Sequence, residues 1–107
     1  MTLLQTHILL AVGNGPAHGY AIGKEIEERS DGRIDPSTGA LYQALKTLEG
    51  EGLVSSVDAP DGAGGDTRRN YFAITAAGRR ALAAEIKRMD DLVSVARGRR
   101  LYKGSPR

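Results

Sequence analysis

Apolar residues recur at helical spacing in the first half of the chain and predict three short helices. The predicted helices cover residues 3–12, residues 19–29 and a segment that begins near Ser37 and ends at Gly52. In each of them, apolar side chains three or four positions apart fall on one face. The positions that carry this pattern are Leu4, Ile8, Ala11 and Val12, then Ile22 and Ile26, and then Leu41, Ala44, Leu45 and Leu48.

The residues between these segments favour helix ends at the same places. Gly13, Asn14, Gly15 and Pro16 follow the first helix, and Ser30, Asp31 and Gly32 follow the second. Pro36 has no N–H group to donate, so no helix continues through it. Ser37 or Asp35 can cap the third helix with a side-chain oxygen, and Gly52 can adopt the left-handed conformation that ends it.

The period of the pattern then changes from 3.6 to 2, which predicts two strands. Residues 53–58 and 70–75 alternate between apolar and polar side chains, as half-buried strands do. The intervening segment, residues 59–69, is rich in glycine and ends in Arg68 and Arg69. This arrangement predicts a β-hairpin with a long, flexible tip.

The last predicted element is a long helix over residues 76–98, which Thr75 would cap. Its apolar positions are spaced 4, 3, 4 and 3 residues apart, which is a heptad seam. This seam could belong to the core of its own domain, but three short helices offer little surface to cover it, which favours a partner chain. The first helix is apolar on most sides, which also favours contact with a partner chain. The predicted dimer contacts are Leu3, Leu10, Leu82, Ile86, Met89, Val93 and Ala96.

Three helices followed by a hairpin predict a fold that is mainly α with a small β-hairpin, an α+β winged helix-turn-helix with a long C-terminal dimerisation helix. Within it we expect a DNA-binding unit at residues 1–75, a dimerisation helix at 76–98 and a flexible basic tail at 99–107. The second helix of such a pair reads base edges in the major groove. The predicted DNA contacts are Ser37, Thr38, Gly39, Tyr42, Gln43, Lys46, Arg68 and Arg69.

Each of these features also has a purely structural interpretation. A polar outer helix face is often only solvated. Arg68 and Arg69 can keep a hairpin soluble, and Tyr42 can be a half-buried packing residue with its hydroxyl in water.

Composition and charge narrow the range of functions. The 107 residues suit one domain and carry 15 basic and 13 acidic side chains. Residues 1–78 hold 6 of the basic and 10 of the acidic groups, so the positive charge is concentrated in residues 79–107. Such a segment favours a polyanionic partner. There is no cysteine, no apolar run long enough for a membrane and no signal-peptide pattern, so we expect a cytoplasmic protein.

The residues offer little catalytic equipment, so we expect no enzyme, no cofactor and no metal. His7 lies in an apolar helix and His18 in a turn, and neither has a carboxylate at ligand spacing. The segment from Gly62 to Thr67 resembles a phosphate-binding loop only in its glycines, because the Gly-Lys-Ser/Thr ending is missing.

Four short motifs in order resemble the PadR family of transcriptional regulators, of the small type with a single C-terminal helix. They are Gly19-Tyr20-Ala21-Ile22, the run Gly39-Ala40-Leu41-Tyr42-Gln43-Ala44-Leu45-Lys46-Thr47-Leu48-Glu49, then Gly52-Leu53-Val54, and Tyr71-Phe72-Ala73-Ile74-Thr75-Ala76-Ala77-Gly78-Arg79. The resemblance covers about residues 3–97. It implies a homodimeric repressor that binds operator DNA with its third helix and is released by a small aromatic or phenolic effector. It also implies that the last helix pairs with the first and last helices of the other subunit.

Two departures from the family pattern bear on this resemblance. Ala40 stands where the family often has threonine, which removes one polar group from the recognition helix. The chain has no tryptophan, which small members use on the last helix to stack flat drugs. A different function stays open, a winged-helix adaptor that binds proteins and not DNA, because Glu49 and Glu51 oppose Lys46 on the recognition helix.

Overall fold

The structure, a computed structural model, describes residues 1–59 and 70–104 and contains the helices and strands that the sequence predicts. In chain order the elements are α1 (Leu3–Ala11), β1 (Ala17–His18), α2 (Gly19–Arg29), α3 (Thr38–Gly50), β2 (Val54–Val57), β3 (Tyr71–Ile74) and α4 (Ala76–Gly98). The prediction of a mainly helical chain with a small β-hairpin is confirmed. The predicted hairpin tip, which includes Arg68 and Arg69, lies outside the described residues.

Helices α3 and α4 begin at capping residues that the sequence predicts. The side-chain oxygen of Ser37 accepts a hydrogen bond from the backbone N–H of Ala40, and that of Thr75 accepts one from Gly78. Asp35 therefore is not the cap of α3. At the other end of α3, Gly52 has a φ of 76°, the left-handed conformation that glycine adopts without a steric penalty.

A two-residue strand that the sequence analysis did not predict completes the sheet. The strand order is β1-β3-β2, with both pairs antiparallel, and Ala17 and Val54 lie opposite Phe72 and Ile74 of β3. We expected His18 in a turn, but it lies in β1 and also caps α2, where its Nδ1 accepts a hydrogen bond from the N–H of Ala21. A strand of two residues is too short to show a period of two.

The core lies where α1, α2 and α3 meet the inner side of the sheet. Its buried apolar residues are Ile8, Leu9, Val12, Ile22, Ile26, Leu41, Leu45, Leu48, Val54 and Phe72. All but Leu9 come from the predicted helix stripes or from one side of β2 and β3, which explains why the order of elements could be predicted from periodicity. Leu9 lies outside the stripe predicted for the first helix, and its burial agrees with that helix being apolar on most sides.

Helix α4 contacts this core only near its beginning. Of its residues, all of which the structure describes, only Gly78 is buried, and Leu82 packs partly buried against the core. The helix then continues for about four more turns beyond Leu82, at the usual rise of about 1.5 Å per residue. In the part of the chain that the structure describes, no helix is both long and apolar enough to cross a membrane.

Candidate nucleic-acid interface

Helix α3 buries its apolar face against the core and exposes the opposite, largely polar face. Leu41, Leu45 and Leu48 are buried at 5% relative exposure or less. The opposite side is exposed and carries all the DNA contacts predicted for this helix, which are Ser37, Thr38, Gly39, Tyr42, Gln43 and Lys46. The structure therefore brings these six residues onto one accessible surface. Arg68 and Arg69, the two predicted contacts on the hairpin, lie outside the described residues.

The first turn of α3 is open and suited to close approach. A Cβ built on Gly39 would have no neighbouring atom within 4 Å. The Ser37 oxygen caps the helix by accepting from Ala40 N–H at 3.0 Å, while its own hydroxyl hydrogen stays available to donate. The N-terminus of a helix also carries a partial positive charge, which favours an anion such as a phosphate.

Tyr42 sits in a position that a neighbouring glycine makes possible. A Cβ on Gly19 would lie 2.3 Å from the Tyr42 hydroxyl oxygen and 2.6 Å from its Cζ, closer than real Cβ contacts allow. The ring of Tyr42 packs edge-on to Phe72 of β3, with 6.5 Å between the centroids. Tyr42 nevertheless keeps 41% of its surface exposed. It is thus both a packing residue and an accessible one.

A cleft of about 390 Å³ separates α2 from α3 beside this tyrosine, and it reveals two residues that the sequence analysis did not propose. Tyr20 and Lys24 of α2 line one side, and Thr38 and Tyr42 of α3 line the other. Tyr20 is 71% exposed. The positions of Tyr20 and Lys24, one helical turn apart, could have suggested a shared face, but the sequence does not show that this face adjoins α3.

The charges around the cleft are mixed. Lys24 lines it together with the carboxylates of Glu27 and Asp35. Farther along α3, the Glu49 carboxylate accepts a hydrogen bond from the Ser56 hydroxyl of β2 at 2.6 Å, which ties this acid to the sheet. Lys46 is exposed on the outer face of α3. The surface therefore offers hydroxyl, amide and ammonium donors without a strong positive field.

Both histidines take part in contacts between elements. His18 caps α2, packs edge-on to the Tyr71 ring at 5.3 Å and stacks near Tyr20 at 6.3 Å. Arg29 donates to the Nδ1 of His7 at 3.1 Å. Burial and then the positive charge of Arg29 lower the pKa of His7 from its ordinary value of 6.5. Among the described residues, no group of three His, Cys, Asp or Glu side chains could hold a metal ion.

The predicted dimer contacts are apolar residues that are only partly buried in the single chain. Leu3, Leu10 and Ile86 are 56%, 38% and 40% exposed, while Met89, Val93 and Ala96 are half-buried. Leu82 is a mixed case, because it packs against the core of its own chain. Leu92 and Val95 on α4 add further exposed apolar surface. Monomeric proteins rarely expose a contiguous apolar surface of large area.

Comparison with known proteins gives consistent matches. The sequence profile of the transcriptional regulator PadR-like family matches residues 8–84. An uncharacterised 37.1 kDa protein in a transposon of Streptomyces fradiae is 39% identical over 85 residues, which is 79% of this chain but only 22% of that protein.

Two solved structures are similar in fold. A transcriptional regulator from Clostridium thermocellum has a TM-score of 0.74 and 26% identity, over 89% of this chain and 87% of its own. PadR of Bacillus subtilis, solved in complex with operator DNA, has a TM-score of 0.66 and 21% identity, over 79% of this chain and 47% of its own.

Proposed function

We propose that this chain, which belongs to the PadR-like family of transcriptional regulators, binds operator DNA as a homodimer and releases it in response to a small aromatic or phenolic molecule. Members of this family regulate transcription and are not enzymes, as the lack of catalytic motifs led us to expect. The observation that carries the proposal is the exposed outer face of α3, with Tyr20 and Lys24 of α2 beside it.

Helix α3 supplies the groups that read base edges. Gln43 has a side-chain amide that can pair bidentately with adenine, and Lys46 suits guanine or a phosphate. Gly39 and Ala40 are small, so the helix can lie deep in the major groove. Ala40 offers no hydroxyl, so we expect recognition to depend more strongly on Gln43 and Lys46.

Helix α2 supplies contacts to the DNA backbone. In a helix-turn-helix the first helix crosses the phosphate backbone while the second lies in the groove. Tyr20 and Lys24 line the cleft on the α2 side, and Thr38 and Tyr42 line it from α3. We infer that these four side chains donate hydrogen bonds to one backbone phosphate, against the opposing charge of Glu27 and Asp35 in the same cleft. This contact would fix the register of α3 and carry no sequence information of its own.

Dimerisation through α1 and α4 accounts for the exposed apolar residues. Leu3, Leu10 and Ile86 keep 56%, 38% and 40% of their surface exposed in the single chain, and a second copy would cover that surface. A dimer also presents two recognition helices, which matches an operator with two half-sites. The effector would act on this assembly, and the absence of tryptophan argues against a site that stacks a flat drug on the last helix.

Basic groups outside the helix-turn-helix are expected to add attraction to DNA that depends on salt. Arg68 and Arg69 precede β3, and the basic residues of the C-terminal segment are Arg97, Arg99, Arg100, Lys103 and Arg107. Each phosphate that a basic group neutralises adds about −0.9 to the slope of log K against log salt. Replacing both hairpin arginines by alanine should make that slope shallower by up to about four per dimer, as anisotropy titrations at several salt concentrations would show. An unchanged slope would mean that the two hairpin arginines do not neutralise DNA phosphates.

An electrophoretic mobility shift with the DNA upstream of the protein's own gene tests the proposal. We expect a discrete shifted band that survives excess unrelated DNA and that phenolic compounds weaken. No shift at micromolar protein, together with capture of a protein partner, would favour the adaptor function instead. The neighbouring genes would then indicate the effector class, since a flanking transporter or phenolic-acid enzyme narrows the candidates.

A further inference from the structure

Hydrogen bonds join the end of α3 to the beginning of α4 through the segment at Gly52 and Leu53. The N–H of Leu53 donates to the Leu48 carbonyl of α3 at 2.9 Å, and the N–H of Thr75 donates to the Leu53 carbonyl at 3.1 Å. The hydroxyl of Thr75 donates to the Gly52 carbonyl at 2.7 Å and accepts from the N–H of Gly78 at 2.9 Å. Backbone groups and the Thr75 hydroxyl thus connect the two helices.

Gly78 brings the two segments into contact because it has no side chain. A Cβ at this position would lie 2.1 Å from the Leu53 carbonyl oxygen and 2.9 Å from Cγ1 of Ile74. A methyl group does not fit there, so the first turn of α4 lies directly on the segment that ends α3. The joint, which we define as Gly52, Leu53, Thr75 and Gly78, is therefore set by close packing and by hydrogen bonds together.

We propose that Thr75 and Gly78 are positioning residues that set the angle between α3 and α4, and through it the spacing of operator half-sites that the dimer accepts. This inference rests on the proposed function, because α4 defines that spacing only if it holds two subunits together. In such a dimer, the distance between the two α3 helices depends on the same joint in each subunit.

The geometry shows how sensitive that spacing is. A methyl on Gly78 must move about 1 Å to reach 3.0 Å from the Leu53 oxygen, the shortest distance that real Cβ contacts show. Leu82, where α4 next packs on the core, is about 6 Å farther along the helix, so this shift tilts α4 by about 10°. Gly98 lies about 24 Å beyond Leu82, and its end of the helix moves by about 4 Å. One base pair advances about 3.4 Å along DNA, so the change exceeds one base-pair step.

The test measures binding to a series of duplexes. The operator, located by footprinting on the DNA upstream of the gene, is rebuilt with one to three base pairs added or removed between half-sites, and also as an isolated half-site. We expect Gly78→Ala to bind the half-site within about twofold of wild type. At the native spacing we expect it to lose at least about tenfold, with its optimum moved by one base pair or more.

Gly98→Ala is the matched control, because it makes the same substitution in the same helix. A Cβ there meets nothing within 4 Å, so its spacing profile should equal that of wild type. If circular dichroism shows that Gly78→Ala does not fold, Thr75→Val takes its place, since it removes only the hydroxyl contacts of the joint. We expect Thr75→Val to broaden the spacing preference and Thr75→Ser to restore it.

A second measurement needs no DNA. The chain has no cysteine, so Glu51→Cys at the exposed end of α3 takes a single spin label in each subunit. Double electron–electron resonance should show the distance between labels shift by several ångströms when Gly78→Ala or Thr75→Val is added, and not when Gly98→Ala is added.

The outcomes separate this inference from the proposed function. Wild-type protein that binds no duplex would refute both. Wild-type binding with an unchanged spacing profile and label distance in the Gly78 and Thr75 variants would overturn the role of the joint and leave DNA binding intact. A variant that weakens all duplexes equally, the isolated half-site included, would also overturn it, because a general loss of fold has that effect.

Discussion

The close packing of Gly19 against Tyr42 predicts that one added methyl group weakens DNA binding without lowering the stability of the fold. In Gly19→Ala the new Cβ would lie 2.3 Å from the Tyr42 hydroxyl and 2.6 Å from Cζ. The ring must move, and it can, because Tyr42 is 41% exposed and its neighbour in this direction is open cleft. The substitution therefore displaces the hydroxyl from the proposed phosphate site.

Gly19→Ala has two effects on the free energy of unfolding, which are opposite in sign and similar in size. Loss of the edge-on contact between Tyr42 and Phe72 costs about 0.5–1.5 kcal/mol, and replacing glycine by alanine in a helix gains up to about 1 kcal/mol. The free energy of unfolding should change by less than about 1 kcal/mol. For DNA, two lost hydrogen bonds in a dimer cost about 1–3 kcal/mol, which raises Kd at least about fivefold.

The assay compares urea unfolding at one protein concentration with fluorescence anisotropy on the operator. Gly23→Ala is the matched control, since its Cβ makes only an ordinary contact with Leu41 at 3.4 Å. In a Tyr42→Ala background, Gly19→Ala should have no further effect on Kd, because the two substitutions act through one side chain. Additive losses in the double variant, or a loss of stability that matches the loss of binding, would refute the reasoning.

Three further predictions concern the other surfaces. Ile86→Asp should give monomers or unfolded chain because it buries an unpaired charge in the proposed interface, and a stable wild-type monomer by sedimentation at micromolar concentration would contradict this. Gln43→Ala should relax preference at one base pair by about 1–3 kcal/mol, whereas Lys46→Ala should weaken all sequences alike if it holds a phosphate. The pKa of His7 is lowered in the folded state, so as the pH falls the unfolded chain takes up a proton before the folded chain does. Wild type should therefore lose more stability than His7→Gln when unfolding is measured from pH 7.5 down to pH 5.

Local patterns predicted most of the fold because periodicity and capping act over a few residues. The caps Ser37 and Thr75 and the stripe on α3 depend only on neighbouring positions, and the structure has them as predicted. Strand β1 was missed because two residues cannot show a period, and because His18 serves as strand and helix cap at once.

The functional residues that sequence patterns did not indicate depend on contacts between segments far apart in the chain. Tyr20 and Lys24 look like solvated positions on α2 until α3 packs beside them. The importance of Gly78 follows from the Leu53 carbonyl, 25 positions earlier in the chain. Such approaches are set by tertiary packing, which one sequence does not reveal.

A ratio of affinities for specific and shuffled DNA measures whether the outer face of α3 reads base sequence. Anisotropy at one salt concentration would compare binding to the operator with binding to a duplex of the same composition in shuffled order. We predict a ratio of about 10³ or more, which falls by about tenfold or more in Gln43→Ala. Equal affinities of the wild-type protein for the two duplexes would show that α3 does not read base sequence.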